Sequence, residues 1–271
     1  MNDTAREFGD ITYEFDDDSA AAIITIDRPD RYNAFRGQTV EEMIAAFKMA
    51  WADHDVRTVI LTGAGEKAFC SGGDVKQRAE TGDYGPTESG LFEIVYLQKL
   101  IRDIPKPVIA AVNGVAVGGG HVLQVICDVS IAADTARFGQ AGPRVGSFDA
   151  GFGSAYLARV VGEKKAREIW FWCRQYSADE ALGMGLVNKV VPAAELMDEA
   201  KRWAKEITAL SPTAIRVLKH SFNADTDHQV GLTHMAMAAL DLFAPSEEGM
   251  EGARAFAEKR PPEFDKYVKY H

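Results

Sequence analysis

The apolar positions of this chain change period several times, and each change marks an element. A short run from Ile11, an acidic turn Asp16-Asp17-Asp18-Ser19 and an apolar run over residues 21–26 ending at Arg28-Pro29 predict two strands across residues 11–27. Val40, Met43, Ile44, Phe47 and Trp51 recur at helical spacing and predict a helix over 39–54. Residues 58–62 form a β-branched strand stopped by Gly63-Ala64-Gly65, and 91–104 return to helical spacing until Pro105-Lys106-Pro107. Strands are expected at 108–112 and 129–132, a glycine turn opening a helix at 118–127, and helices at 155–161 and 164–173. From Ala178 onward the pattern is largely helical. The repeated strand, turn, helix order predicts an α/β protein of stacked ββα units with a helical C-terminal extension, not a simple doubly wound sheet.

Composition adds limits. With 271 residues and 46% hydrophobic residues, the chain can build a sizeable core without disulfides. The formal net charge of −10 disfavours nucleic acid or an anionic membrane as partner, yet permits a phosphate-bearing small ligand held by a few local groups. The first ten residues are polar and acidic, so no signal peptide is expected. No apolar run reaches the roughly 18 residues a membrane span requires, and the expected location is the cytoplasm. Cys70, Cys127 and Cys173 show no metal-ligand spacing, so no metal site is expected.

Two glycine-rich turns carry the chemistry. Phe69-Cys70-Ser71-Gly72-Gly73-Asp74 follows the strand at 58–62, and Gly118-Gly119-Gly120 opens an apolar helix. Glycine lets a backbone approach a ligand closely, and a helix opening presents unpaired N–H groups. Two such N–H groups aimed at one point form an oxyanion hole. A triple glycine before a helix is equally readable as a packing point. Neither turn has the spacing of a dinucleotide or P-loop motif.

Together with Arg28-Pro29, Asn33-Ala34-Phe35 and the run Lys106 to Gly114, these turns make the chain resemble the crotonase (enoyl-CoA hydratase/isomerase) superfamily. The resemblance implies a crotonase-like spiral core over residues 1–205, and a helical trimerisation region over 206–271. It also implies a homotrimer or dimer of trimers, and an acyl-CoA thioester substrate in place of a permanently bound cofactor. It places the thioester oxygen on the N–H groups of Gly72 and Gly119. Coenzyme A is expected to meet Arg31, Ala34, Ala68, Ser71, Gly73 and Asp74, with Lys259 reaching a neighbouring subunit's site. The tail from Phe256, with Phe264, Tyr267 and Tyr270 among basic residues, reads either as a frayed end or as a segment docking on a neighbour.

Acid–base residues separate the members of that superfamily. The two glutamate positions of a simple hydratase match Val122 and Gly142 here, and neither moves a proton. Asp149, a lone carboxylate in a glycine-rich apolar stretch, is the alternative base. Its rival reading is an N-cap for the helix near Ala155. The stretch 140–153 resembles a branch holding 2-ketocyclohexanecarboxyl-CoA hydrolase and 1,4-dihydroxy-2-naphthoyl-CoA synthase. The synthase's C-terminal tyrosine matches Ala244, which favours the ring-opening hydrolase. In that reading Asp149, helped by Ser147, activates water, and Tyr84 completes the pocket from a loop. Gln140, Gly142 and Trp170 match the synthase's bicarbonate positions and are expected to hold substrate or water. Phe148, with Phe152, Trp170 and Trp172, suggests an apolar pocket.

Overall fold

The computed structural model describes residues 7–268, with residues 79–81 as backbone only; Lys269 and Tyr270 of the tail lie outside the described residues. In chain order the elements are β1 (Ile11–Asp16), β2 (Ala21–Ile26), α1 (Gly37–Ala52), β3 (Thr58–Gly63), β4 (Ala68–Cys70), α2 (Val75–Thr81), α3 (Ile94–Asp103), β5 (Val108–Val112), β6 (Val115–Val117), α4 (Gly119–Ile126), β7 (Val129–Ala133) and β8 (Arg137–Gly139). There follow α5 (Ala155–Val161), α6 (Glu163–Trp172), β9 (Gln175–Ser177), α7 (Ala178–Gly183), β10 (Lys189–Val191), α8 (Leu196–Thr208), α9 (Pro212–Ala224), α10 (Gln229–Phe243) and α11 (Glu247–Ala257). Every strand and helix expected from the apolar pattern is present, with ends shifted by a few residues.

Successive strands alternate between two sheets. One has the order β1-β2-β3-β5-β7-β10 and the other β4-β6-β8-β9. Each of β3, β5 and β7 leads into a short strand of the second sheet, and a helix returns the chain. This is the expected α/β spiral of ββα units, and α9, α10 and α11 form the helical extension. The larger sheet is parallel except at β1, as helical crossovers require. Its apolar runs reflect burial on both faces. Ile24, Val59 and Leu61 join one core with α1, α3 and α4, while Ile23, Ile60 and Ile109 meet Leu196, Ala200 and Ala204 of α8 on the other side.

The C-terminal helices are tied to the core by polar groups. Buried Lys219 of α9 donates to the carbonyls of Ile101 and Lys106 and to Asp128 Oδ2 at 2.6 Å. Buried Arg102 of α3 donates to Thr226 Oγ1 at 2.7 Å, and its guanidinium lies over the rings of Phe152 and Tyr156. α10 packs on the 3-10 turn Gly151–Gly153, and α11 packs on α2. A Cβ placed on Gly252 of α11 would lie 2.2 Å from Gly146 N, so α11 meets that loop backbone to backbone. Among the described residues no helix is long and apolar enough to cross a membrane.

Candidate active site

Three neighbouring parallel strands of the small sheet, β4, β6 and β8, end level with one another. Cys70 pairs with Ala116, and Val117 with Gly139. The residues that follow are Ser71-Gly72, Gly118-Gly119 and Gln140. The candidate site therefore forms along the carboxyl ends of a parallel sheet, where the loops after adjacent strands converge.

The two glycine turns touch. A Cβ built on Gly72 would fall 2.9 Å from Gly119 N, and one on Gly119 would fall 3.6 Å from Gly72 Cα. Gly72 has φ +93° and Gly118 φ +56°, conformations that favour glycine. Gly119 is the first residue of α4, so its N–H has no intrahelical acceptor. Among the described residues neither the Gly72 nor the Gly119 N–H meets an acceptor oxygen. The Gly72 N–H faces the Cys70 thiol, whose pKa burial pushes up to about 12. Gly120 behaves differently: a Cβ there would lie 1.9 Å from the Cys70 carbonyl oxygen. Within the triple glycine, Gly120 is thus packed against backbone, while Gly119 is partly exposed and keeps an N–H with no intrahelical acceptor.

Aromatic rings frame these turns. The Phe35 N–H donates to the Gly72 carbonyl at 2.9 Å, and a Cβ on Gly119 would meet the Phe35 ring. Tyr84 covers Gly73 and stacks on Phe92 with centroids 4.6 Å apart, while the Gly37 N–H donates to its carbonyl. Tyr84 is therefore half-buried in an aromatic group rather than solvated. Below lies a buried ionic network. Asp10 pairs with Arg36 and accepts from Thr39 Oγ1, and both hydrogen bonds hold its carboxyl below the usual range against the opposing effect of burial, the larger single influence. Arg28 bonds Asp74 at 3.1 Å, and Asp74 also accepts from the Gln77 N–H as the N-cap of α2. Asp74 is thus engaged inside the protein. Ala34 and Ala68 are buried, Ser71 is partly exposed, and Arg31 and Lys259 are exposed. Lys259 stands at φ +56° just beyond α11.

Asp149 lies in the extended stretch before the 3-10 turn Gly151–Gly153. It does not cap α5: Ser154 holds that position and makes no side-chain cap bond. The residue keeps some exposure, but its carboxyl sits in a recess against Gly153, where an added Cβ would be 2.7 Å from Oδ1. Burial pushes its pKa up to about 7, with the Gly153 N–H pulling in the opposite direction. Trp170 Nε1 donates to the Gly153 carbonyl at 2.6 Å, and the Trp170 ring touches Gly142, which in turn lies under the Ser147 carbonyl. The Ser147 N–H donates to the Gly142 carbonyl at 2.8 Å. α4, whose first residue is Gly119, packs on the turn that carries Gly153. The carboxylate loop and the glycine turns thus belong to one connected structure.

Several expected residues take other places. Gln140 is buried, with its amide 3.4 Å from the Gly118 carbonyl and 3.1 Å from His121 Nδ1. Phe148 packs against Phe243 of α10 in a tilted pair, centroids 5.7 Å apart. Phe152 lies in the core against Tyr156, and Trp172 is 60% exposed beside Phe171. Phe35 and His121 escaped the sequence reading as site residues. Phe35 had a signal, since it stands inside the Asn33-Ala34-Phe35 motif; His121 had none beyond its place after the triple glycine.

A family model described as enoyl-CoA hydratase/isomerase matches residues 16–267, and the chain belongs to that family. An enoyl-CoA hydratase structure from Mycobacterium avium subsp. paratuberculosis K-10 is similar at 28% identity and TM-score 0.84, covering 95% of this chain and 99% of its own. A carnitinyl-CoA hydratase from Mycobacterium avium is similar at 32% identity and TM-score 0.81, over 95% and 98% of the two chains. An enoyl-CoA hydratase from Bacillus anthracis is 33% identical, with TM-score 0.71 over 94% and 98%. The chain is a crotonase-type enzyme acting on an acyl-CoA thioester.

Proposed function

We propose that this enzyme turns over its acyl-CoA substrate through a thioester enolate held by the Gly72 and Gly119 N–H groups, with Asp149 as the single acid–base residue. The recessed carboxyl of Asp149, with its pKa near 7, is the observation that carries the reading. A group half-protonated near neutrality can both take and return a proton. Val122 is buried in α4 and Gly142 is sealed under Trp170, so the positions that resemble the hydratase glutamates supply no second carboxylate.

Ring-opening hydrolysis of an alicyclic β-oxoacyl-CoA uses these parts economically. Asp149 takes a proton from water, and hydroxide adds to the ring ketone. The carbon–carbon bond then breaks toward the thioester, its electron pair forming the enolate. Asp149 returns the proton to the α-carbon, leaving an open-chain mono-CoA ester of a dicarboxylic acid. The trimer expected from the resemblance, with Lys259 reaching a neighbour's coenzyme A, completes this reading.

The similar structures favour a second reading, isomerisation or hydration of an open-chain enoyl-CoA. One base also suffices to move a double bond. Mass spectrometry on a panel separates the readings. Gain of one water by a cyclic β-oxoacyl-CoA is the expected result. Loss of water from o-succinylbenzoyl-CoA would establish ring closure instead; turnover confined to enoyl-CoA esters, seen as gain of water by mass or as a shifted double bond by ultraviolet absorbance, would establish the second reading.

A further inference from the structure

Gly118 is gripped on both sides by the end of β8. Its N–H donates to the Gly139 carbonyl at 3.2 Å, and its carbonyl accepts from the Gln140 amide at 3.4 Å as well as from the Val122 N–H at 3.1 Å. At φ +56° and ψ −131° Gly118 has a backbone conformation that glycine adopts freely and L side chains rarely do. The Gly118 carbonyl and the Gly119 N–H belong to the same planar peptide and point in opposite directions. Fixing one fixes the other.

The chemistry of the partners fixes the orientation of the Gln140 amide. A carbonyl oxygen only accepts, so the group facing Gly118 is the NH2. That same nitrogen lies 3.1 Å from His121 Nδ1, which must then accept, leaving the histidine proton on Nε2. Burial pushes the His121 pKa down to about 4, which keeps the ring neutral and Nδ1 able to accept at ordinary pH. Gln140 is 2% and His121 1% exposed, and Gln140 Oε1 and His121 Nε2 find no partner among the described residues. Two apolar side chains would fill this space without leaving such groups unpaired.

We propose that Gln140 is a positioning residue: braced on His121, its amide clamps the Gly118 carbonyl and so aims the Gly119 N–H at the enolate oxygen. This rests on the enolate reading given above. It assigns Gln140 a task at the back of the oxyanion site, not contact with substrate or bicarbonate.

The test compares wild type, Gln140→Met and Gln140→Glu, each checked for folding by circular dichroism and melting. Acetoacetyl-CoA is the probe, because its enolate is visible by ultraviolet absorbance. Wild type should enrich the bound enolate over its fraction in solution. Gln140→Met should lose most of that enrichment and about tenfold in kcat, less than the 10²–10³ expected for removing a donor outright. Affinity for coenzyme A itself should change by less than about twofold, because the clamp does not touch it. Gln140→Glu keeps the side-chain shape, sets an oxygen against the Gly118 carbonyl and should lose more; it also decides the matter if Gln140→Met does not fold. Undiminished enolate enrichment in both variants would overturn the clamp. So would a loss of coenzyme A affinity in parallel with kcat, which would make Gln140 a binding residue. Absence of enrichment in wild type would instead overturn the enolate reading beneath it.

Discussion

At Asp149, activity and stability are expected to oppose one another. If the carboxylate is the base, kcat/KM should rise with pH and level off above about 7, tracking ionisation of the recessed carboxyl. Asp149→Asn should lower kcat by about 10²–10⁴ and abolish that pH limb, as steady-state profiles would show. The raised pKa means that the folded state binds this proton more tightly than the unfolded chain, whose value is near 3.8. Between those two values stability falls as pH rises, and the full penalty is present above the folded value. Asp149→Asn should therefore melt higher than wild type at pH 8, by about 1–3 kcal/mol of stability, and show little gain near pH 4. Thermal melts at both pH values check this. A melting temperature unchanged at pH 8 would place the carboxyl in water and remove it as the tuned base.

Among the elements, α9 depends on one ammonium. Lys219→Met leaves two carbonyls without their buried donor and the partly exposed Asp128 without its cation, and should cost about 2–3 kcal/mol and lower the melting temperature by roughly 5 °C. Near-wild-type melting would show that α9 is held by apolar packing alone. Legibility in the sequence also divides by element. Strands of the large sheet were readable because apolar runs such as β2 and β3 are buried on both faces. β4, β6 and β8 have three residues each, too few to display a period, so the second sheet left only the glycine turns that follow it. The meeting of the two glycine turns was expected from the family resemblance carried by residues 69–74 and 118–120. The Gln140–His121 brace was not, since it joins residues 19 apart through strand pairing that no local pattern encodes. The packing role of Gly120 needed the Cys70 carbonyl to be in view.

Across the molecule, the helical extension closes onto the site loops of its own chain. Gly249 and Gly252 of α11 face Gly146, and Phe243 of α10 packs against Phe148, next to Asp149. Gly252→Leu should lift α11 from that loop, raise KM severalfold and expose the bond after Arg254 to trypsin, while the sheet core stays folded. Kinetics, proteolysis and circular dichroism of one variant test all three parts; unaltered KM and protection would mean that the loop keeps its shape without α11. The three-residue strands have a wider consequence. The glycine turns proposed to hold the enolate sit at the ends of β4 and β6, where changing them means changing strand pairing. The proposed base, Asp149, lies in the excursion between β8 and α5, which can vary without disturbing that pairing. Chemistry in this scaffold is thus free to diverge by exchange of one connecting loop, and a chimera receiving a relative's residues 141–153 should inherit the donor's reaction while keeping the recipient's intermediate.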